Sequence, residues 1–274
     1  MLDGFDYKEP SCALCGGKEF YAFDKDAPIS RIPIKRILEK VDACFSKNDL
    51  EEAGRLLEHW KKEAIALQDR QGELSILSEL IGYYRKTLAK VKALTAIDQA
   101  LELVDKLNQR QTVSGATIIL NCATTLKAFS LSQKAMPLYD FAEEIYLKNL
   151  DKKDYKLAGL FNNKALCLVD LKEYEKAEQY YLSAIGILEG CAGGKLDSAI
   201  SLVNLAHLYE EIGQKKKVTD ALFKAYEYLF SQDENSSGYY AYVLEKCAPS
   251  FLHFGYEKIS NELTTLSKEL YESN

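Results

Sequence analysis

The sequence predicts an all-α chain: a solenoid of about six antiparallel helix pairs over residues 33–274, behind a short irregular N-terminal segment, residues 1–32. Three observations carry this. A compact apolar residue recurs every 40 to 42 residues, another follows it by seven residues on the same helical face, and a third stands twelve residues before it on a preceding helix. Composition agrees, since 274 residues with 47% hydrophobic and 28% charged side chains but only 15 Gly and 5 Pro leave room for long helices and exclude collagen-like or disordered chains.

The recurring positions are Ala53, Ala93, Ala135, Ala177, Val218 and Ile259. Seven residues on stand Trp60, Ala100, Ala142, Ala184, Ala225 and Leu266, and twelve residues back stand Val41, Ile81, Ala123, Ala165, Ala206 and Cys247. Short side chains at these places let two helices approach closely. Bulk fills the gaps around each crossing four residues after the reference position, at Leu57, Ile97, Tyr139, Tyr181, Leu222 and Leu263.

In chain order, the first pair is expected at 34–47 and 49–68, turned by Lys47-Asn48-Asp49, with Trp60 departing from the small-residue pattern as a terminal repeat does. The second covers 71–86 and 89–107 around Ile81, Ala93, Ile97 and Ala100. The third, 113–130 and 132–150, contains Pro137 in the second turn of its second helix, which predicts a kink or a late start. The fourth, 153–171 and 173–189, is the clearest unit, with Ala165, Ala177, Tyr181 and Ala184. Gly190 to Gly194 separate it from the fifth, 195–212 and 214–231, which turns at Ile212-Gly213-Gln214. Gln232 to Gly238 lead to the sixth, 237–253 and 256–272, where Pro249 again predicts a kink or a late start and Leu266 marks the other terminal departure.

This pattern resembles the tetratricopeptide repeat (TPR), which has a small residue at its eighth position, Ala at the twentieth, a large apolar residue at the twenty-fourth and Ala at the twenty-seventh. Ala165, Ala177, Tyr181 and Ala184 match all four, and the third and fifth units match nearly as well. The period is longer than the family's usual figure of about 34 residues. It is similar to that of the long-helix subclass found in kinesin light chains and in bacterial receptors for signalling peptides. The resemblance implies a right-handed superhelix and an extended peptide or protein segment held in a concave groove lined by the first helix of each pair, while the residues themselves read as those of a cytoplasmic and non-catalytic protein.

Fourteen residues before the reference positions, on that inner face, stand Glu39, Glu79, Asn121, Asn163, Asn204 and Glu245. An Asn amide offers both a donor and an acceptor, so Asn121, Asn163 and Asn204 in consecutive repeats suit the backbone of a strand-like guest. Ser75, Ser78, Gly82, Thr117, Thr124 and Gly159 are short and predict a polar, open groove around them. Arg85, Lys86 and Lys127 lie toward the N-terminal half, and Asp170, Glu210 and Glu211 toward the C-terminal half, which would orient a ligand by charge. The expected peptide contacts are thus Glu79, Arg85, Asn121, Lys127, Asn163, Leu166, Asn204, His207 and Glu211. The same residues also read as a solvated helix face. The chaperone-binding carboxylate clamp of TPR proteins is absent.

A formal charge of −6, from 35 basic and 41 acidic residues, argues against a nucleic-acid partner, and no apolar run is long enough for a membrane span. Met1 to Pro10 lack the apolar run of a signal peptide, and seven scattered cysteines fit a reducing compartment. Cys12-Ala-Leu-Cys15 has chelating spacing but is half a zinc site, so the expectation is no cofactor, with Cys12 and Cys15 as weak metal candidates. His59, His207 and His253 join no catalytic motif, and Gly190 to Leu196 lack the glycine spacing and the Ser or Thr of a phosphate loop. Phe20, Tyr21 and Phe23 predict that the segment up to Ile32 packs on the first helix pair; it is too short for a DNA-binding domain. The function expected is an adaptor or scaffold for a peptide or protein. The alternative is a peptide-sensing regulator whose solenoid curvature changes on binding and controls a separate effector.

Overall fold

The computed structural model describes residues 28–47, 49–231 and 238–272. Among them are twelve helices and no strand: α1 (Ile34–Ser46), α2 (Leu50–Ala66), α3 (Arg70–Lys86), α4 (Lys90–Lys106), α5 (Val113–Ala128), α6 (Ser132–Asn149), α7 (Tyr155–Asp170), α8 (Tyr174–Glu189), α9 (Lys195–Glu211), α10 (Lys215–Leu229), α11 (Gly238–His253) and α12 (Glu257–Glu272). Every helix expected from the repeat is present, with ends displaced by two residues at most. None of the described helices is long and apolar enough to cross a membrane.

The chain forms two compact units, Met1–Leu150 and Asp151–Asn274. In the first, α1 pairs with α2, α3 with α4 and α5 with α6, while α2 also packs on α3, α4 on α5, and α3 on α5. In the second, α7 pairs with α8, α9 with α10 and α11 with α12, while α8 packs on α9 and α9 lies between α7 and α11. The first helices α3, α5 and α9 therefore each touch their own partner, the preceding second helix and a neighbouring first helix, so helices such as α5 bury side chains all round.

The core follows the repeat register. Val41, Ile81, Ala123, Ala165, Ala206 and Cys247 are all 0% exposed. Leu57, Ile97, Tyr139, Tyr181, Leu222 and Leu263 are buried beside them. Trp60 and Leu266 stay half-exposed, in keeping with their terminal repeats, and so do Val218 and Ile259. Cys122, Cys167 and Cys247 are buried thiols outside any disulfide, and burial pushes the Cys247 thiol up to about 12, so these cysteines serve as small hydrophobes. Neither proline delays its helix: α6 begins at Ser132 and α11 at Gly238, and both run through. Pro137 and Pro249 lie on exposed faces, where water can reach the carbonyl each leaves without a donor.

The turn after the first helix recurs as well. Leu88, Ser130, Lys172, Gly213 and Gly255, one per repeat, have positive φ between 56° and 84°. Each is followed by a backbone bond reaching back five residues, such as Ala89 N–H to Tyr84 O at 2.9 Å and Gln214 N–H to Tyr209 O at 2.8 Å. Leu88 is 78% exposed and has the left-handed conformation without glycine's freedom. Leu88→Gly should therefore stabilise the chain by about 1 kcal/mol, read as a rise in the thermal or urea midpoint; an unchanged or lower midpoint would contradict the strain argument.

The stretch before α1 is tied to the first unit. Ile29 N–H donates to Leu67 O at 3.0 Å, Ile32 N–H donates to Asp69 Oδ2 at 3.0 Å, and Arg31 pairs with Asp69 at 3.1 Å. Asp69 also caps α3 by accepting from Gly72 N–H. Phe20, Tyr21, Phe23, Cys12 and Cys15 lie outside the described residues.

Candidate binding face on the first helices

In the first unit the polar residues of α3 and α5 are drawn between the helices. Asn121 is 2% exposed and donates from Nδ2 to Ser78 Oγ at 3.2 Å. Arg85, 8% exposed, donates from Nη1 to Thr125 Oγ1 at 3.1 Å, and Glu79 is buried on the same helix. Tyr139 donates to Thr124 Oγ1 at 3.2 Å, and Thr117 and Tyr146 share a hydrogen bond of 2.6 Å. Gln109, just before α5, donates from Nε2 to Gln71 Oε1 at 2.6 Å. The open groove expected around Ser75, Ser78, Gly82, Thr117 and Thr124 is not found there, because all five are buried: their short side chains let neighbouring helices close on one another. Lys127, near the end of α5, is half-exposed.

In the second unit the corresponding residues stay nearer the surface. Asn163 and Leu166 on α7, and Asn204 and His207 on α9, are half-buried, whereas Asp170, Glu210 and Glu211 are exposed. Asn204 donates from Nδ2 to Asn162 Oδ1 at 3.2 Å, and Asn162 in turn donates to Asn163 Oδ1 at 3.4 Å. Three amides thus form a chain from α9 to α7, ending on Asn163. Lys164 Nζ bonds the Tyr180 hydroxyl at 3.0 Å and sits over its ring, and Phe161 meets the same ring edge-on. Toward α11, His207 Nε2 and Ser250 Oγ are 3.0 Å apart, while His253 Nε2 lies 2.7 Å from Glu210 Oε2. Burial, with a smaller contribution from His253, lowers the pKa of His207 and keeps its ring neutral near pH 7.

Sequence reasoning missed Asn162, Ser250 and the approach of His253 to α9. A signal was available: Asn162 and Asn204 are 42 residues apart and His207 and Ser250 are 43 apart, within two residues of the local repeat period of 41 in each case.

Charge pairs also link successive repeats. Glu178 on α8 accepts from Tyr209 of α9 and from Lys217 of α10, each at 2.9 Å, and Lys217 first, then Tyr209, holds its carboxyl below the usual range against the opposing effect of burial. Glu58 on α2 likewise accepts from Tyr84 of α3 and Lys92 of α4. Tyr84 and Tyr209 occupy the same place in their repeats, nine residues before the reference position.

Solved structures with this arrangement of paired helices are known. BtubC (BKLC) from P. vanneervenii is similar at a TM-score of 0.51 and 19% identity, covering 89% of this chain and 92% of that one. The fold is that of the TPR-like helical-repeat proteins. A putative kinesin light chain with nearly identical TPR-like repeats, from Podosopora anserina, matches this TPR-like chain at 0.51 and 15% identity over 70% of this chain and 92% of its own. A Rap protein complexed with competence and sporulation factor matches at 0.58 and 18% identity, covering 86% and 74%. No family model matches the sequence, and no curated protein does.

Proposed function

We propose that this chain is a non-catalytic scaffold or adaptor that holds an extended segment of another protein on the first-helix face of its TPR-like repeats. The observation that carries the reading is the amide chain Asn204–Asn162–Asn163, in which Asn162 is buried and the two ends, Asn204 and Asn163, are half-exposed and present amide groups at the surface of two consecutive first helices. An extended peptide exposes unpaired N–H and C=O groups that such amides pair with, irrespective of side chains. Leu166 supplies an apolar contact and His207 a neutral imidazole. Asp170, Glu210 and Glu211 favour a segment carrying Lys or Arg. Lys127, half-exposed, suits an acidic group. Glu79, Arg85 and Asn121 would act indirectly, by holding α3 against α5. The fold supports a binding protein of this kind, and packed repeats hold their binding face in place with little ordering cost at the moment of binding.

The test uses the full chain and peptides selected against it from a displayed random library. Asn163→Ala together with Asn204→Ala should weaken the selected peptides by about 2 kcal/mol, roughly thirtyfold, with the helical circular dichroism unchanged. Equal affinity in the folded double variant would move the site elsewhere. A second reading, a peptide-responsive regulator, draws support from the likeness to the Rap protein, whose structure was solved in complex with competence and sporulation factor. A radius of gyration that changes on peptide addition would favour the regulator, and a constant one the static scaffold.

A further inference from the structure

Three metal-binding side chains converge on α9 and α11, at residues 46 positions apart in sequence. His207, Glu210 and His253 each present a ligating atom, and these atoms all lie within 4.8 Å of one another. A single oxygen, Glu210 Oε2, faces both imidazoles: it is 2.7 Å from His253 Nε2 and 3.9 Å from His207 Nδ1. A simple ion pair between Glu210 and His253 would not need a second imidazole on that oxygen. The two rings lie 5.1 Å apart, where two protonated imidazoles would repel each other.

The surroundings prepare His207 for ligation. Ser250 Oγ sits 3.0 Å from its Nε2, and when that nitrogen donates its hydrogen to the hydroxyl, Nδ1 holds the lone pair that points toward Glu210. This is the outer hydrogen bond by which metal-bound histidines are usually oriented. Phe254 packs against both rings, with centroids 4.8 Å from each, which restricts their rotation. His207 and Glu210 are three apart on one helix and therefore share a face. Donors bound to tetrahedral zinc stand about 3.3 Å apart, so small rotamer shifts of half-exposed side chains bring these three into range.

We propose that His207 Nδ1, Glu210 Oε2 and His253 Nε2 bind a divalent transition metal of the zinc class, joining the first helices of the last two repeats. Two imidazoles and one carboxylate are a borderline-soft donor set, suited to Zn²⁺ over Mg²⁺ or Ca²⁺. Three protein ligands leave a tetrahedral position open at the protein surface, for water or for a ligand atom of a bound partner. The site does not depend on the peptide reading.

The experiment titrates Zn²⁺ calorimetrically into the tag-free full chain carrying Cys12→Ser and Cys15→Ser, so that the N-terminal thiols contribute nothing. One saturable site is expected, with binding weaker by about a hundredfold or more in His207→Ala and in His253→Ala, since even outer partners of a metal site cost about tenfold or more. Glu210→Gln keeps the side-chain shape and should weaken binding as well. Co²⁺ added to the same thiol-free chain should give visible d–d absorption bands that vanish in His253→Ala. The absence of saturable Zn²⁺ binding, or titrations in His207→Ala and His253→Ala that match the parent, would overturn the proposal.

Discussion

Asp197→Ala should lower the stability of the chain by about 3 kcal/mol, because it removes a buried acceptor shared by three repeats. Asp197, in the first turn of α9, is 2% exposed and accepts hydrogen bonds from Tyr155 of α7 on one oxygen and from Tyr239 of α11 on the other. The two tyrosines are each 42 residues from it, one period before and one after. Burial first, and then the Asp197 charge, raise the Tyr239 phenol well above its ordinary pKa, so it stays a donor at any pH at which the protein is handled. Alanine would lose both bonds, strand at least one phenol away from water, and remove a carboxylate from the favourable end of a helix. Asn, which keeps one acceptor oxygen, should cost about half as much. The check is urea denaturation followed by circular dichroism for parent, Asp197→Ala and Asp197→Asn. An alanine variant within about 0.5 kcal/mol of the parent would show that the two phenols find other partners and that this link contributes little.

A loss of similar size is expected from Gly115→Ala, despite the helical propensity that alanine brings. Gly115 lies in the first turn of α5, and an added Cβ would stand 2.1 Å from the Gln109 carbonyl oxygen. That oxygen is backbone, and it accepts from both Thr112 N–H at 2.9 Å and Thr112 Oγ1 at 2.8 Å, so moving it disturbs the turn that starts the helix. Gln109 also holds Gln71 through its side chain. Propensity favours alanine by about 1 kcal/mol. Overpacking against a fixed backbone costs about 3 kcal/mol, so the net is a loss of about 2 kcal/mol. Gly186→Ala is the matched comparison: Gly186 lies exposed in α8, and an added Cβ would meet nothing within 4 Å, so propensity acts alone and the variant should gain up to about 1 kcal/mol. Opposite signs for the two variants are expected. If Gly115→Ala melted at or above the parent, the close approach of the turn to α5 would not be a constraint on the fold.

The repeat was legible because its physical cause is local and periodic. Ala165 and Ala177 are small since two helix axes pass close at that point, and the same crossing recurs in every pair, so one clear unit identified the rest even where Val218 or Ile259 replaced the alanine. Helix positions, pairing, the turn at Gly213 and the departures at Trp60 and Leu266 could all be read this way. The binding face was less legible. Asn121 and Asn204 hold the same place in their repeats, yet Asn121 is buried against Ser78 while Asn204 stays half-exposed and bonds Asn162. Identical register gives identical direction on the helix, but burial depends on what the neighbouring helix presents, and that is a property of two segments at once.

The amino-acid sequence alone therefore determined an all-α chain of six helix pairs, with the length of each helix and the residues at each crossing, because helical period and side-chain size act over a few residues of one segment. Only the tertiary structure decided that Glu79, Arg85 and Asn121 are drawn between helices, that Asp197 is held by two tyrosines, and that His207, Glu210 and His253 meet around one carboxylate oxygen. Those outcomes depend on how closely one repeat approaches the next, and that distance is fixed by the packing of both surfaces together.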